Sequence, residues 1–180
     1  MGYWSLTDEQ RILLQKIVFK RNVLDLGAGD LTLSEWCLRA GAASVTAVDT
    51  YLDRRRIEGV IPVSCRFQTY LEQTRGDPPH DVLVLSWPTR YECLGLVDLL
   101  KRHPCVVYLG KNTDGQWSGT PGMFEVLQKR EILHHIPDTR NTMLVYGNEP
   151  VDRSPVLEEK AGMDRENLYF QDSEKRTKDA

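Results

Sequence analysis

Two rhythms of apolar residues run along this chain. In the first, Ile12, Leu13, Ile17 and Val18 recur at helical spacing. Thr7 and Gln10 precede them at the separation of a capping box, and Leu6 stands where it can pack back as a staple. In the second rhythm, short and nearly unbroken apolar runs alternate with helix-compatible stretches. That pattern predicts strands over residues 22–26, 44–48, 63–67, 81–85 and 105–109. Helices are predicted at about 31–40, closed by Gly41, and at 94–101, with a short basic helix or turn at 52–58. Gly76-Asp77-Pro78-Pro79 interrupts the chain before the fourth strand. After residue 109, GKNTDGQWSGTPG holds four glycines and a proline, too irregular for a regular element. Pro121 and Gly122 lead into a helix over 124–130. Two final strands, 131–136 and 142–146, are joined by PDTRN.

Alternation of strands with helices implies parallel crossovers, because each parallel connection must carry the chain back across a face of the sheet. The fourth and fifth runs lack polar alternation, as expected of central strands covered on both sides. Two closing strands with no long helix between them require one antiparallel neighbour. The expected fold class is therefore α/β: a doubly wound, mostly parallel seven-stranded sheet with helices on both faces.

The text changes near residue 150. Residues 151–180 lack a sustained apolar period and are expected to be a charged, mostly disordered tail after a domain at 1–150. Within the tail, Glu166 to Gln171 spells ENLYFQ, identical to the hexapeptide that tobacco etch virus protease recognises. An engineered insertion is the first reading of that segment, and it is set apart from the fold.

Composition removes several function classes. The formal charge is -3, and the tail carries eight acids and six bases, which leaves 18 acids and 17 bases before it. The domain is nearly neutral, giving little support for a nucleic-acid partner; Arg54, Arg55 and Arg56 read as solvated surface. No apolar run approaches the roughly 18 residues of a membrane span. Cys37, Cys65, Cys93 and Cys105 stand singly, with Cys65 and Cys105 in strand-like runs, so a reduced, cytoplasmic protein without disulfides is expected. His134 and His135 are adjacent, would point to opposite faces of a strand and lack a third ligand, so no metal is expected.

The most informative stretch is Arg21 to Thr50. A strand runs into Gly27-Ala28-Gly29, a helix follows, and the second strand closes with Asp49. Such a turn lets a nucleotide-like ligand approach the backbone, and an acid ending the second strand suits ribose hydroxyls. A dinucleotide fingerprint would need glycine at Thr32, so a nicotinamide cofactor is disfavoured. Asp25, two residues before the first glycine, would repel a pyrophosphate but suits a ligand carrying a cation.

The segment LDLGAG with Asp49 beyond it resembles motif I and the following acidic position of class I S-adenosylmethionine-dependent methyltransferases. That resemblance covers about residues 10–148 and departs where the family often has a third glycine and this chain has Leu31. It implies a reversed final strand, and S-adenosyl-L-methionine as cofactor. It places Gly27, Ala28 and Gly29 against the cofactor, Asp25 at its methionine end, Asp49 on the ribose, Thr50 along the adenosine, and Gln68 and Thr69 near the adenine. After the fourth strand, Ser86-Trp87-Pro88-Thr89 with Tyr91 is similar to motif IV of amino-group methyltransferases, although Trp87 replaces a proline and Thr89 an aromatic. Ser86, Trp87 and Tyr91 are thus the expected acceptor-side residues, with an amine nitrogen favoured. Walls from the loop Lys111 to Trp117, and a cover from Tyr3 and Trp4, are further expectations. The acceptor itself, small molecule, protein or RNA, is open, as is a partner subunit for its recognition. The alternative is a catalytically silent relative that binds or activates a partner.

Overall fold

The computed structural model describes residues 6–88, 93–113, 116–138 and 141–147. Helix α1 (Asp8–Val18) is closed at its start by the expected capping box: the Gln10 N–H donates to Thr7 Oγ1, and the Thr7 N–H donates back to Gln10 Oε1. Its buried positions are Gln10, Leu13, Leu14, Ile17 and Val18, while Ile12 is 57% exposed. The helical period puts Leu14, not Ile12, on the core side, and Gln10 enters the core as well.

Strand β1 (Asn22–Leu26), helix α2 (Thr32–Arg39) and strand β2 (Ser44–Asp49) follow nearly as expected. The next region differs. Residues 52–58 form no helix, because Asp53 N–H donates to the Gly29 carbonyl and the Arg55 guanidinium to the Asp30 carbonyl, pinning the segment onto the glycine turn. Strand β3 is Val60–Ser64, not 63–67, and residues from Phe67 form helix α3 (Phe67–Gln73). β3 is an edge strand that is largely exposed, so it tolerates Pro62 and lacks the apolar run that marks a central strand. Cys65 consequently lies beyond the strand and is only half-buried, whereas Cys105 is fully buried.

Strands β4 (Val82–Ser86) and β5 (Cys105–Gly110) flank helix α4 (Leu96–Arg102). Beyond β5, where irregular chain was expected, the backbone makes a two-stranded ribbon of β6 (Asn112–Thr113) and β7 (Gln116–Trp117). Ser118 closes its base: Lys111 N–H donates to Ser118 Oγ at 2.9 Å, and the buried Tyr108 hydroxyl donates to the Ser118 carbonyl at 2.7 Å. Helix α5 (Pro121–Leu127) starts earlier than expected, because Thr120 caps it and Pro121 takes its first turn. Strands β8 (Ile132–Ile136) and β9 (Thr142–Gly147) complete the chain's described part.

The main sheet has seven strands in the order β3-β2-β1-β4-β5-β9-β8. All neighbours are parallel except β9, which runs against both β5 and β8. Successive residues of a strand face opposite sides, so the interior divides into two layers. Val23, Val45, Val84 and Val107 meet α1 and α2; Leu24, Leu85, Tyr108 and Leu144 meet α3, α4 and α5. This is the expected doubly wound fold with its reversed strand. The tail at 151–180 and the residues Tyr3, Trp4 and Asp114 lie outside the described residues. Among the described residues no helix is long and apolar enough to cross a membrane.

Tyr108→Phe tests the anchoring of the ribbon. Removing the hydroxyl leaves the Ser118 carbonyl without its donor, and urea denaturation should register a loss of about 1–2 kcal/mol. No loss would mean that the Tyr108–Ser118 bond does not hold the ribbon's base.

Candidate functional site

The sheet order changes direction between β1 and β4: from β1 the chain builds outward to β2 and β3, then returns to β4 on the other side. Loops leaving the C-terminal ends of those two strands diverge, and the crevice between them is where doubly wound sheets bind ligands. Gly27 follows β1 and Ser86 ends β4 at this junction. A Cβ built on Gly27 would stand 3.8 Å from the Ser86 carbonyl oxygen.

The glycine turn is tied to β2. Gly27 N–H donates to the Val48 carbonyl at 2.8 Å, and the Ala28 N–H reaches the same oxygen at 3.4 Å. Gly27 and Gly29 have φ of 77° and 47°, in the left-handed region where glycine is free of Cβ strain. Ala28 is buried. Leu31 is also left-handed, with φ 63°. Its position is the one at which the resembling family often has glycine, and the backbone keeps the glycine conformation here despite the side chain. That conformation costs about 1–2 kcal/mol, and burial of the Leu31 side chain, only 1% exposed, offsets it.

Asp49 ends β2 with both carboxylate oxygens engaged. Oδ2 accepts from Gly29 N–H at 3.1 Å, and Oδ1 accepts from Tyr51 N–H at 2.8 Å. The carboxylate is thereby fixed beside the glycine turn, half-buried, with lone pairs left over for other donors. Thr50 is exposed at the rim just beyond it. Asp25 is placed differently from its neighbours. It is wholly buried on the α2 side of β1, where Ser34 Oγ–H donates to Oδ2 at 2.6 Å. Its other oxygen, Oδ1, is enclosed without a hydrogen-bond partner. Desolvation pushes the carboxyl up to about 7; the Ser34 bond opposes that rise, and the charges of Asp49 and Asp30 add to it.

Gln68 and Thr69 lie in the first turn of α3 rather than after a strand, and Gln68 Nε2 donates along the helix to Glu72. Gly95 abuts the Gln68 backbone: an added Cβ would come within 2.8 Å of its Cα. At the end of β4, Ser86 is buried and Trp87 turns out of the sheet with φ 44°. Trp87 N–H donates to the Leu109 carbonyl at 2.7 Å, and its indole Nε1–H donates to Asn141 Oδ1 at 2.6 Å. Gln10 Nε2 in turn donates to the Asn141 carbonyl. Tyr91, expected on the same side, lies outside the described residues.

The structure thus brings Gly27, Ala28, Gly29, Asp49, Ser86 and Trp87 to one edge, sets Asp25 beneath the turn, and puts Gln68 and Thr69 on a neighbouring helix. Sequence reasoning missed Ser34 and Asn141, and treated Gln10 only as a cap. Gln10 carried a signal: it falls on the apolar side of α1 with Leu13, Leu14 and Ile17. Asn141 carried none.

A separate cleft of about 290 Å³ opens toward the opposite end of the strands, lined by Thr46, Tyr70, Arg102 and His103 among others. His103 Nδ1 donates to the Leu99 carbonyl, and burial pushes the imidazole down to about 4. Its Nε2 is enclosed and offers no surface to the cleft. Among the described residues no three His, Cys, Asp or Glu side chains group as metal ligands.

Asp25→Asn isolates the buried carboxyl. A group whose folded pKa is raised stabilises the fold below its unfolded value, and that contribution is lost as pH rises through the folded one. The variant should therefore gain on the wild type between about pH 4 and pH 7 by of the order of 4 kcal/mol, with a flat difference above that window. His103 titrates in the opposite sense but is common to both proteins and cancels. Urea unfolding across this range checks the prediction, and a pH-independent difference would mean that Asp25 ionises normally.

No protein-family profile matches the chain, and no curated protein matches it. Its fold is similar to that of ribosomal protein L11 methylase from Lactobacillus delbrueckii subsp. bulgaricus, with 17% identity over 78% of each chain and a TM-score of 0.52. It is similar also to Burkholderia thailandensis 1,6-didemethyltoxoflavin-N1-methyltransferase, solved with 1,6-didemethyltoxoflavin and S-adenosylhomocysteine bound. There the identity is 17%, the coverage 77% of this chain and 78% of that one, and the TM-score 0.55. At such identities the likeness is one of architecture: this chain has the class I methyltransferase fold.

Proposed function

We propose that this protein is an S-adenosylmethionine-dependent methyltransferase, with an amine nitrogen favoured as acceptor. The observation that carries the reading is the Asp49 carboxylate, locked by two backbone N–H groups beside a left-handed glycine turn at the point where the sheet order reverses. A fixed acceptor there suits the paired hydroxyls of a ribose, and the bare Gly27–Gly29 backbone suits close approach of the rest of the cofactor. The enclosed Asp25 oxygen fits as well: a carboxyl without a second partner beneath the turn favours a ligand that brings a cation or donor. Thr50, Gln68 and Thr69 are assigned to the adenosine side.

When bound, the cofactor supplies a methyl group on a positively charged sulfur. The chain's own task is then alignment and exclusion of water, with no covalent nucleophile required. Ser86 and the Trp87 backbone are assigned to hold the acceptor amine so that its lone pair faces the methyl group, with Tyr91 as a stacking or hydrogen-bonding neighbour. Held there, the amine would take the methyl group that the cofactor supplies and would release one proton, leaving the sulfur neutral. Departure of the Ser86–Trp87 segment from the amino-methyltransferase pattern favours a second reading, a catalytically silent protein that keeps the cofactor site and acts on a partner.

Calorimetric titration with S-adenosylhomocysteine and with NAD separates these classes from an oxidoreductase. Saturable binding of the first and none of the second is expected; the reverse preference would remove the methyltransferase reading. Asp49→Ala should weaken S-adenosylhomocysteine by about 1–3 kcal/mol, the cost of unmade charge-assisted hydrogen bonds, and unchanged affinity would take Asp49 out of the site.

Transfer of labelled methyl groups into fractionated cell extract then assigns the acceptor to metabolite, protein or RNA, and its absence alongside tight binding would favour the silent reading. Ser86→Ala should retain its melting curve and cofactor affinity while turnover falls at least about tenfold, since the lost contact belongs to alignment in the transition state. Full turnover in that variant would leave the amine preference without support.

A further inference from the structure

Two buried polar side chains far apart in sequence converge on Trp87. Gln10 is wholly buried on α1, Asn141 is 2% exposed immediately before β9, and Trp87 leaves β4 in a left-handed turn. The hydrogen bonds between them form a continuous chain. Gln10 Oε1 accepts from Thr7 N–H, and Gln10 Nε2 donates to the Asn141 carbonyl. Asn141 N–H donates to Asp138 Oδ1 at 3.0 Å, and Asn141 Oδ1 accepts the Trp87 indole N–H at 2.6 Å. A tryptophan with positive φ is an unusual conformer that persists only where its surroundings over-determine it. Two bonds do so here: the backbone N–H to Leu109, which continues the β4–β5 ladder, and the indole N–H to Asn141. The first is available to any residue. Only the second depends on the side chain, so Asn141 fixes the direction of the ring beside the backbone turn that follows Ser86.

We propose that Asn141 is a positioning residue for the acceptor: by taking the Trp87 indole hydrogen bond it fixes the edge that Ser86 and Trp87 present, and Gln10 holds Asn141 in place from the first helix. This rests on the methyltransferase reading above and adds to it a residue from the reversed strand's entrance and one from α1. Neither touches the acceptor; both act through Trp87. Gln10 holds the Asn141 backbone carbonyl, and the side-chain amide oxygen is the part of Asn141 that acts on Trp87. Aspartate therefore preserves the function and leucine, of nearly the same shape, removes it.

Two measurements test this. In ¹H–¹⁵N spectra the Trp87 indole signal, assigned by its loss in Trp87→Phe, should move upfield in Asn141→Leu and return in Asn141→Asp, whatever reaction the protein performs. In labelled-methyl transfer, Asn141→Leu should lower kcat at least about tenfold while S-adenosylhomocysteine affinity stays within about twofold. Asn141→Asp should recover most of the rate, and Asn141→Leu in the Trp87→Phe background should be no slower than Trp87→Phe alone. If leucine lowers cofactor affinity in step with rate, or if the two substitutions reduce turnover independently, Asn141 is a packing residue and the proposal falls. An unmoved indole signal overturns it as well. A wild-type protein that binds no S-adenosylhomocysteine removes the methyltransferase reading and the proposed role together, while leaving the indole bond itself intact.

Discussion

The hydrogen bond from Gly29 N–H to Asp49, together with those from Gly27 and Ala28 to the Val48 carbonyl, is the tie on which the rest of the site depends. It fuses the turn after β1 to the end of β2, so that two segments 20 residues apart behave as one rigid rim. Parallel pairing of β1 with β2 sets the register that makes the tie reachable: Leu26, the last residue of β1, lies opposite Val48, and Asp49 then ends β2 beside the turn. The β2–β3 loop is then drawn onto the same rim through Asp53 and Arg55. A site assembled from backbone N–H groups in this way varies little with surface side chains, which is consistent with a shared architecture at 17% identity.

Asp25 shows the opposite strategy, a charged group placed where charge is expensive. Its carboxyl sits in the α1–α2 layer with Ser34 as its one donor, and burial alone outweighs that bond in setting its protonation. The balance explains why Ser34 must be buried with it: without the hydroxyl, neither oxygen would have a partner. The energetic penalty is local to the layer directly beneath the glycine turn, the part of the fold that contributes most to the candidate site. Strain at Leu31 and Trp87 falls at the same edge. Elsewhere among the described residues, Lys20 at the end of α1 is the remaining non-glycine residue with positive φ.

Interior strands were legible in the sequence because burial on both faces writes itself as an unbroken apolar run. β4 and β5 are of this kind, β1 and β2 carry Asp25 and Thr46 inside otherwise apolar runs, and the glycine turn with its flanking acid was legible by its own motif. β3 was not, since an edge strand half open to water needs no such run and can hold Pro62. The β6–β7 ribbon escaped notice for another reason: its closure depends on Tyr108 and Ser118, ten residues apart and joined through a side chain rather than a pattern. The link between Gln10 and Asn141 was the least legible, because a single hydrogen bond across 131 residues leaves no periodicity behind. The cap role of Gln10 was visible; its second hydrogen bond was not.

The reversal of β9 has a consequence for the order in which the site is made. A parallel strand reaches the crevice edge with its last residue, but an antiparallel one starts there, so the residue delivered by β9 is the one before its first, Asn141. That residue meets its partner from α1 across 131 residues of chain. On folding, the glycine turn and Asp49 can come together early, through contacts close in sequence, while the Trp87 edge must wait for the closing strand to pair. The two halves of the crevice therefore differ in contact order: the half assigned to the cofactor is closed by a hydrogen bond across 20 residues, the half assigned to the acceptor by bonds across 54 and 131 residues.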